Sequence, residues 1–154
     1  MYLSVIIPAY NEEKRIEKTL LSVHEYLSRQ GYDYEILVVD DGSKDQTQTI
    51  VNSLSSIVGN LRLIDNKENH GKGWVVRQGM LEAQGDYRLF MDADNSTTIE
   101  HLDKFWPQIK NGYDVAIASI AVKGADVAHT EPFHRRFLGK LGNLWIQFWV
   151  LPGI

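Results

Sequence analysis

Asp92-Ala93-Asp94 closes the apolar run Tyr87-Arg88-Leu89-Phe90-Met91 and sets two carboxylates one residue apart. In an extended chain, residues two apart share a side, so both acids face one ligand where the segment leaves a sheet. Hard divalent cations such as Mg²⁺ or Mn²⁺ take oxygen ligands and are commonly held by one or two carboxylates plus the phosphates of a substrate. The spacing therefore suits a metal-assisted diphosphate anchor. A D-x-D after a strand is also ordinary turn and helix-cap chemistry, because Asp suits both positions.

Three further segments carry polar groups at the ends of apolar runs. Leu3-Ser4-Val5-Ile6-Ile7-Pro8 reads as a buried strand stopped by proline, with a helix start at Asn11 and the acids Glu12 and Glu13 in its first turn. A second run, Glu35-Ile36-Leu37-Val38-Val39, passes straight into Asp40-Asp41-Gly42-Ser43. Asn69-His70-Gly71-Lys72-Gly73 precedes a third helix; glycines let a backbone approach a ligand, helix N-termini attract phosphate, and Lys72 adds a point charge. The first glycine and the trailing Ser/Thr of a Walker loop are missing.

These segments need a frame that brings them together. The pattern predicts strands near 2–7, 34–39, 61–65, 86–91 and 114–119, alternating with helices over 12–30, 45–58, 72–84 and 99–110. Such alternation argues for an α/β fold, a Rossmann-like, mainly parallel sheet with helices on both faces. Gly31, Gly59, Gly85 and Gly112 are expected as helix C-terminal caps. In open α/β sheets ligands sit outside the carboxyl ends of the strands, so the polar exits converge on one crevice.

Together, Ser4-Val5-Ile6-Ile7-Pro8-Ala9-Tyr10-Asn11-Glu12, Val38-Val39-Asp40-Asp41-Gly42-Ser43, Gly71-Lys72-Gly73 and Asp92-Ala93-Asp94 resemble, in that order, the family 2 glycosyltransferases of GT-A fold. Asn69-His70-Gly71-Lys72-Gly73, Val76-Arg77-Gln78-Gly79 and Asp92 to Thr98 narrow the likeness to the dolichyl (polyprenyl) phosphate sugar synthases, of glucosyl- or mannosyltransferase type. The resemblance implies inverting transfer of a hexose from a nucleotide-diphosphate sugar to a polyprenyl phosphate. It places Asp41 on the imide N–H of the base, with the alternative that Asp40 to Ser43 is only a turn and N-cap. Pro8, Tyr10 and Glu12 form the other wall, although Pro8 also serves simply to end a strand and Glu12 to partner a helix dipole. Lys72 is expected on the nucleotide-sugar, Arg77 on the same crevice or in solvent, and Asp92 and Asp94 on Mg²⁺ or Mn²⁺ and the leaving diphosphate. Mannose-transferring relatives carry a glutamine two residues beyond the second aspartate, where this chain has Ser96; the departure tilts the expectation toward UDP-glucose.

Composition sets the remaining bounds. The chain has 154 residues, a net charge of −4 and no cysteine, which suits one hydrophobic core, gives no general electrostatic reason for nucleic-acid binding, and excludes thiolate chemistry. The five histidines, at 24, 70, 101, 129 and 134, lack metal-ligand spacing. No signal peptide is read at Met1-Tyr2-Leu3, and no run approaches the ~18 apolar residues of a membrane span. A cytoplasmic, peripheral location at a membrane face is expected, with a homo-oligomer left open.

The acceptor side is expected over 120–154, after a nucleotide-sugar-binding core over 1–119. Lys123 to His134 reads as a loop, and Arg135-Arg136 opens an amphipathic helix with Phe137, Leu141, Leu144, Trp145, Phe148 and Trp149 on one stripe. The resemblance makes this an interfacial helix whose arginine grips the polyprenyl phosphate; a core-packing stripe is the alternative. Relatives usually read Gly-Ser-Arg at the end of the fifth strand, where this chain has Ala118-Ser119-Ile120, so one acceptor-phosphate ligand is missing. The chain ends at Leu151-Pro152-Gly153-Ile154, short of where relatives continue, and is expected to be truncated at its C-terminus. A sugar nucleotidyltransferase is disfavoured because no Gly-rich basic loop follows the first strand. A non-catalytic nucleotide- or membrane-binding module is the rival of a different class.

Overall fold

The computed structural model describes residues 1–119; Arg135, Arg136 and the aromatic stripe beyond them lie outside the described residues. The elements run β1 (Leu3–Ala9), α1 (Ile16–Ser28), β2 (Tyr34–Asp41), α2 (Thr47–Leu54), β3 (Leu61–Asn66), α3 (Lys72–Glu82), β4 (Tyr87–Phe90), a 3₁₀ turn (Ile99–His101) and α4 (Leu102–Lys110). The four strands form one sheet in the order β3-β2-β1-β4, and every pairing is parallel. This is the GT-A arrangement expected from the motif order.

β1 and β2 are buried along their whole lengths, as parallel strands covered on both faces must be. The pleat sorts their side chains. Val5, Ile7, Ile36 and Val38 pack with Leu20, Val23 and Leu27 of α1, Val51 of α2 and Leu102 of α4. Ile6, Leu37 and Val39 turn the other way, onto Val75 of α3 and Ala83. Helices therefore cover both faces. Tyr2, Tyr32 and Tyr87, which precede or open β1, β2 and β4, gather around Trp106 with ring centroids 4.9–5.9 Å apart. That cluster closes the amino ends of the strands and leaves the carboxyl ends for chemistry.

Four local expectations are corrected. β1 continues through Pro8 to Ala9, paired with Val39 and Asp40, instead of stopping before the proline. The carbonyls of Tyr2 and Ile6 accept N–H groups from Tyr87 and Met91, so the even-numbered residues of β1 turn toward β4. β4 ends at Phe90, and the Pro8 nitrogen, which has no hydrogen to donate, therefore needs no partner there.

Helix α1 opens at Ile16 and not at Asn11, because Asn11 adopts φ +55°, which no helical residue can. Among the four glycines expected as caps, only Gly112 is left-handed, at φ +92°. There Gly112 N–H donates to Ile109 and Tyr113 N–H to Gln108, the paired bonds that close a helix on a left-handed residue.

No strand forms over 114–119. Val115 and Ile117 are 77% and 80% exposed: alternation sets which way side chains point, but a strand also needs a neighbour for its ladder bonds. Residues Met1–Tyr113 make one compact unit, and a second begins at Asp114.

Candidate active site

The carboxyl ends of β1, β2 and β4 open on one cavity of about 300 Å³. Pro8, Ala9, Tyr10 and Glu12 line it from the exit of β1, and Asp41 from the end of β2. Asn69, Gly71, Lys72 and Val75 contribute from the α3 side, and Asp92, Ala93 and Asp94 from beyond β4. Register explains the convergence, since Ala9 lies opposite Asp40 and Ile6 opposite Phe90.

Asp92 and Asp94 are exposed while Ala93 between them is buried, but β4 has already ended at Phe90 and Ala93 and Asp94 stand in a turn, not in the extended segment expected. Thr19 of α1 fixes the middle residue, its hydroxyl donating to the Ala93 carbonyl at 2.7 Å. Ser96 N–H donates to Asp94 Oδ1 at 2.9 Å. The Ser96 hydroxyl, its N–H and the charges of Arg15 and Lys72 outweigh burial and hold the Asp94 carboxyl below the usual aspartate range. Lys72 Nζ stands 2.6 Å from Asp92 Oδ1. The Asp92 and Asp94 side chains, lining one cavity, offer hard oxygen donors. Among the described residues no group of three or more histidines or acids could cage a metal ion. The donor set thus fits a Mg²⁺ or Mn²⁺ ion that draws its other ligands from phosphate and water, and not an all-protein cage.

Asp41 is buried and accepts two backbone N–H groups, His70 at 2.7 Å on Oδ1 and Gly71 at 2.9 Å on Oδ2. It thereby holds the loop that leads into α3. Gly42 makes that packing possible: at φ +74°, a Cβ there would stand 2.9 Å from the Glu68 carbonyl carbon. A carboxylate has about four lone-pair sites, so Asp41 keeps acceptor capacity toward the cavity. Asp40 is spent internally, accepting from Ser43 N–H at 2.9 Å, Ser43 Oγ at 2.5 Å and Gln48 Nε2 at 2.7 Å.

A set of contacts that the motif reading did not find joins the two loops behind the first two strands. Asn11 N–H donates to Ser43 Oγ at 2.9 Å, and Lys44 N–H returns to Asn11 Oδ1 at 2.9 Å. Glu12 N–H donates to Thr47 Oγ1 and Glu13 N–H to Asp45, while Gln46 N–H returns to Glu13 Oε2. This clasp sets the position of Tyr10 and Glu12. The available signal was the density of short polar residues at both exits, which bond to nearby backbone in place of a helix ladder. The Glu12 carboxylate itself is paired with Arg15 Nε at 2.8 Å.

Arg77 is exposed and does not line the cavity. Five residues along α3 from Lys72 is about 140° around the helix at 3.6 residues per turn.

Comparison with known proteins gives a consistent picture. A family model described as glycosyl transferase family 2 matches residues 4–152. The chain is 36% identical over 150 residues to a dolichyl-phosphate beta-glucosyltransferase of Trichomonas vaginalis, covering 90% of this chain and 44% of that one. It is 39% identical over 154 residues to a dolichol-phosphate mannosyltransferase of Pyrococcus furiosus, covering 100% and 42%. A mannosyltransferase from Pyrobaculum calidifontis, solved in complex with GDP-Man and Mn²⁺, superposes with a TM-score of 0.53 at 31% identity, covering 60% of this chain and 27% of that one. The chain thus spans less than half the length of these curated relatives.

Proposed function

The chain belongs to glycosyl transferase family 2, and we propose that it serves inverting transfer of a hexose, glucose favoured, from a nucleotide-diphosphate sugar to a polyprenyl (dolichyl) phosphate. One observation carries the reading: Asp92 and Asp94 line one cavity together with Lys72, Pro8, Tyr10, Glu12 and Asp41. In this reading residues 1–119 hold the donor, and 120–154, with Arg135 and Arg136, serve the acceptor phosphate at the cytoplasmic face of a membrane. Among the described residues no helix is long and apolar enough to cross a membrane.

Each residue then has a task its chemistry suits. Asp41 accepts from the base and, through His70 and Gly71, fixes the loop beside the phosphates. Tyr10 walls the base and Glu12 the ribose. Lys72 and the first N–H groups of α3 meet the diphosphate, which a helix N-terminus favours. Asp92 and Asp94 would hold Mg²⁺ or Mn²⁺ beside that diphosphate. When bound, such an ion neutralises charge on the leaving diphosphate as a Lewis acid. The acceptor needs no general base, because a phosphate monoester with a second pKa of about 6 is already an anionic nucleophile at neutral pH.

Calorimetric titration of the 154-residue chain with UDP-glucose, GDP-mannose, UDP and GDP, each with Mn²⁺ and with chelator, tests the donor half. Metal-dependent binding of UDP-glucose, lost in Asp94→Asn, is expected. Transfer of labelled glucose to dolichyl phosphate tests the rest. A second reading, GDP-mannose as donor, is favoured by the mannosyltransferase likeness that runs the length of the chain; preferential GDP-mannose binding would select it. Donor binding without any transfer would leave a binding module.

A further inference from the structure

Lys72 and Asp92 meet in the lining of the cavity. Lys72 Nζ is 2.6 Å from Asp92 Oδ1, and the same ammonium stands 5.4 Å from the centre of the Phe90 ring. The two side chains are 61% and 49% exposed, so water screens the pair and it exchanges readily. A Mg²⁺ ion would need a carboxylate oxygen at about 2.1 Å. An ammonium at hydrogen-bond distance from Oδ1 takes a lone-pair site on that oxygen and sets a positive charge beside the incoming cation. The cation and the ammonium therefore compete for Asp92.

The same lysine opens α3, whose first N–H groups lack intrahelical acceptors. A diphosphate at that helix end offers the ammonium several oxygens in exchange for one. Phe90, with its ring facing the ammonium, gives the lysine a second favourable surface during the move.

We infer that Lys72 is an exchangeable placeholder on Asp92 which couples the two ligands of the donor site: the diphosphate draws the ammonium away, and the divalent cation takes the released oxygen. The inference rests on the donor-site reading above and adds to it an energetic dependence. By linkage, the nucleotide raises metal affinity and the metal raises nucleotide affinity by one common factor. Asp94, tied to Ser96 instead of to a lysine, carries no such gate.

The test is Mn²⁺ binding followed by the electron paramagnetic resonance of the free ion. It uses wild type, Lys72→Met, Lys72→Gln and Lys72→Arg, each alone and with saturating UDP or GDP, with folding checked by circular dichroism. For wild type, the nucleotide should tighten Mn²⁺ at least tenfold. Lys72→Met and Lys72→Gln should bind Mn²⁺ alone several-fold more tightly than wild type and show a smaller nucleotide effect, whereas Lys72→Arg should keep the wild-type pattern. Folded Met and Gln variants with wild-type Mn²⁺ affinity in the absence of nucleotide would overturn the inference. Wild type that binds no Mn²⁺ even with nucleotide would overturn the donor-site reading itself, a result distinct from lost coupling.

Discussion

The hydroxyl of Thr19, on the first helix, holds the carbonyl of Ala93, between the two candidate metal-binding acids, at 2.7 Å. Both residues are buried, so this bond anchors the D-x-D segment to the core while its carboxylates face the cavity. Thr19→Val keeps the side chain's shape and removes the donor. Leaving a buried carbonyl unpaired costs about 1–3 kcal/mol. Urea denaturation should show that loss, and Mn²⁺-dependent nucleotide affinity should fall with it. Unchanged nucleotide affinity in a destabilised variant would confine Thr19 to a structural role.

Asp94→Asn keeps an acceptor for Ser96 N–H and removes a charge from the cavity wall. The variant should fold with a small loss of stability, because the Ser96 hydroxyl and N–H favour the ionised acid, and lose roughly tenfold or more in Mn²⁺-dependent nucleotide binding, the scale on which altered metal sites respond. Calorimetry with and without chelator measures it; equal loss in both conditions would point to a direct nucleotide contact instead of a metal contact.

At the opposite end of the sheet, Glu35 is buried and accepts from Ser4 Oγ at 2.6 Å, Gln84 N–H at 2.7 Å and Arg62 at 2.7 Å. Burial alone would push its carboxyl up, but these donors and the Arg62 charge together hold it below the ordinary glutamate value of 4.5. A carboxyl depressed in the folded state adds stability that is fully present above the unfolded value. That stability is lost as pH falls through the folded one. Wild-type unfolding free energy should therefore drop once pH goes below about 4.5, and Glu35→Gln should flatten that part of the profile. At pH 7 the variant should lose about 1 kcal/mol, since the guanidinium it leaves without a partner is half-exposed and water screens its charge.

Gly79 marks where α3 presses on the sheet. A Cβ there would lie 2.4 Å from Ile6 Cγ2 and 2.9 Å from Val39 Cγ2, both on stiff, branched, fully buried side chains. Overpacking costs about 1–3 kcal/mol, against a gain of up to about 1 kcal/mol from replacing glycine within a helix. Gly79→Ala should therefore be destabilising. In a double-mutant cycle with Ile6→Ala, which removes the nearer obstacle, it should cost less or become neutral.

The sequence by itself determined the order of the first four strands and their helices and the acids at the strand exits. Those features follow from period-two alternation and from the short apolar runs of buried parallel strands, which are local properties of the chain. Tertiary structure decided the rest. Pro8 stays in β1 because β4 stops short beside it, and Asn11 turns left-handed because Ser43 and Lys44 take its hydrogen bonds. Asp41 faces a loop twenty-nine residues away, and Lys72 reaches Asp92 only because α3 begins close to where β4 ends. Hydrogen bonds and ion pairs between distant residues depend on strand register and helix docking. No spacing along the chain records them, so the carboxylates were legible as a motif and their partners were not.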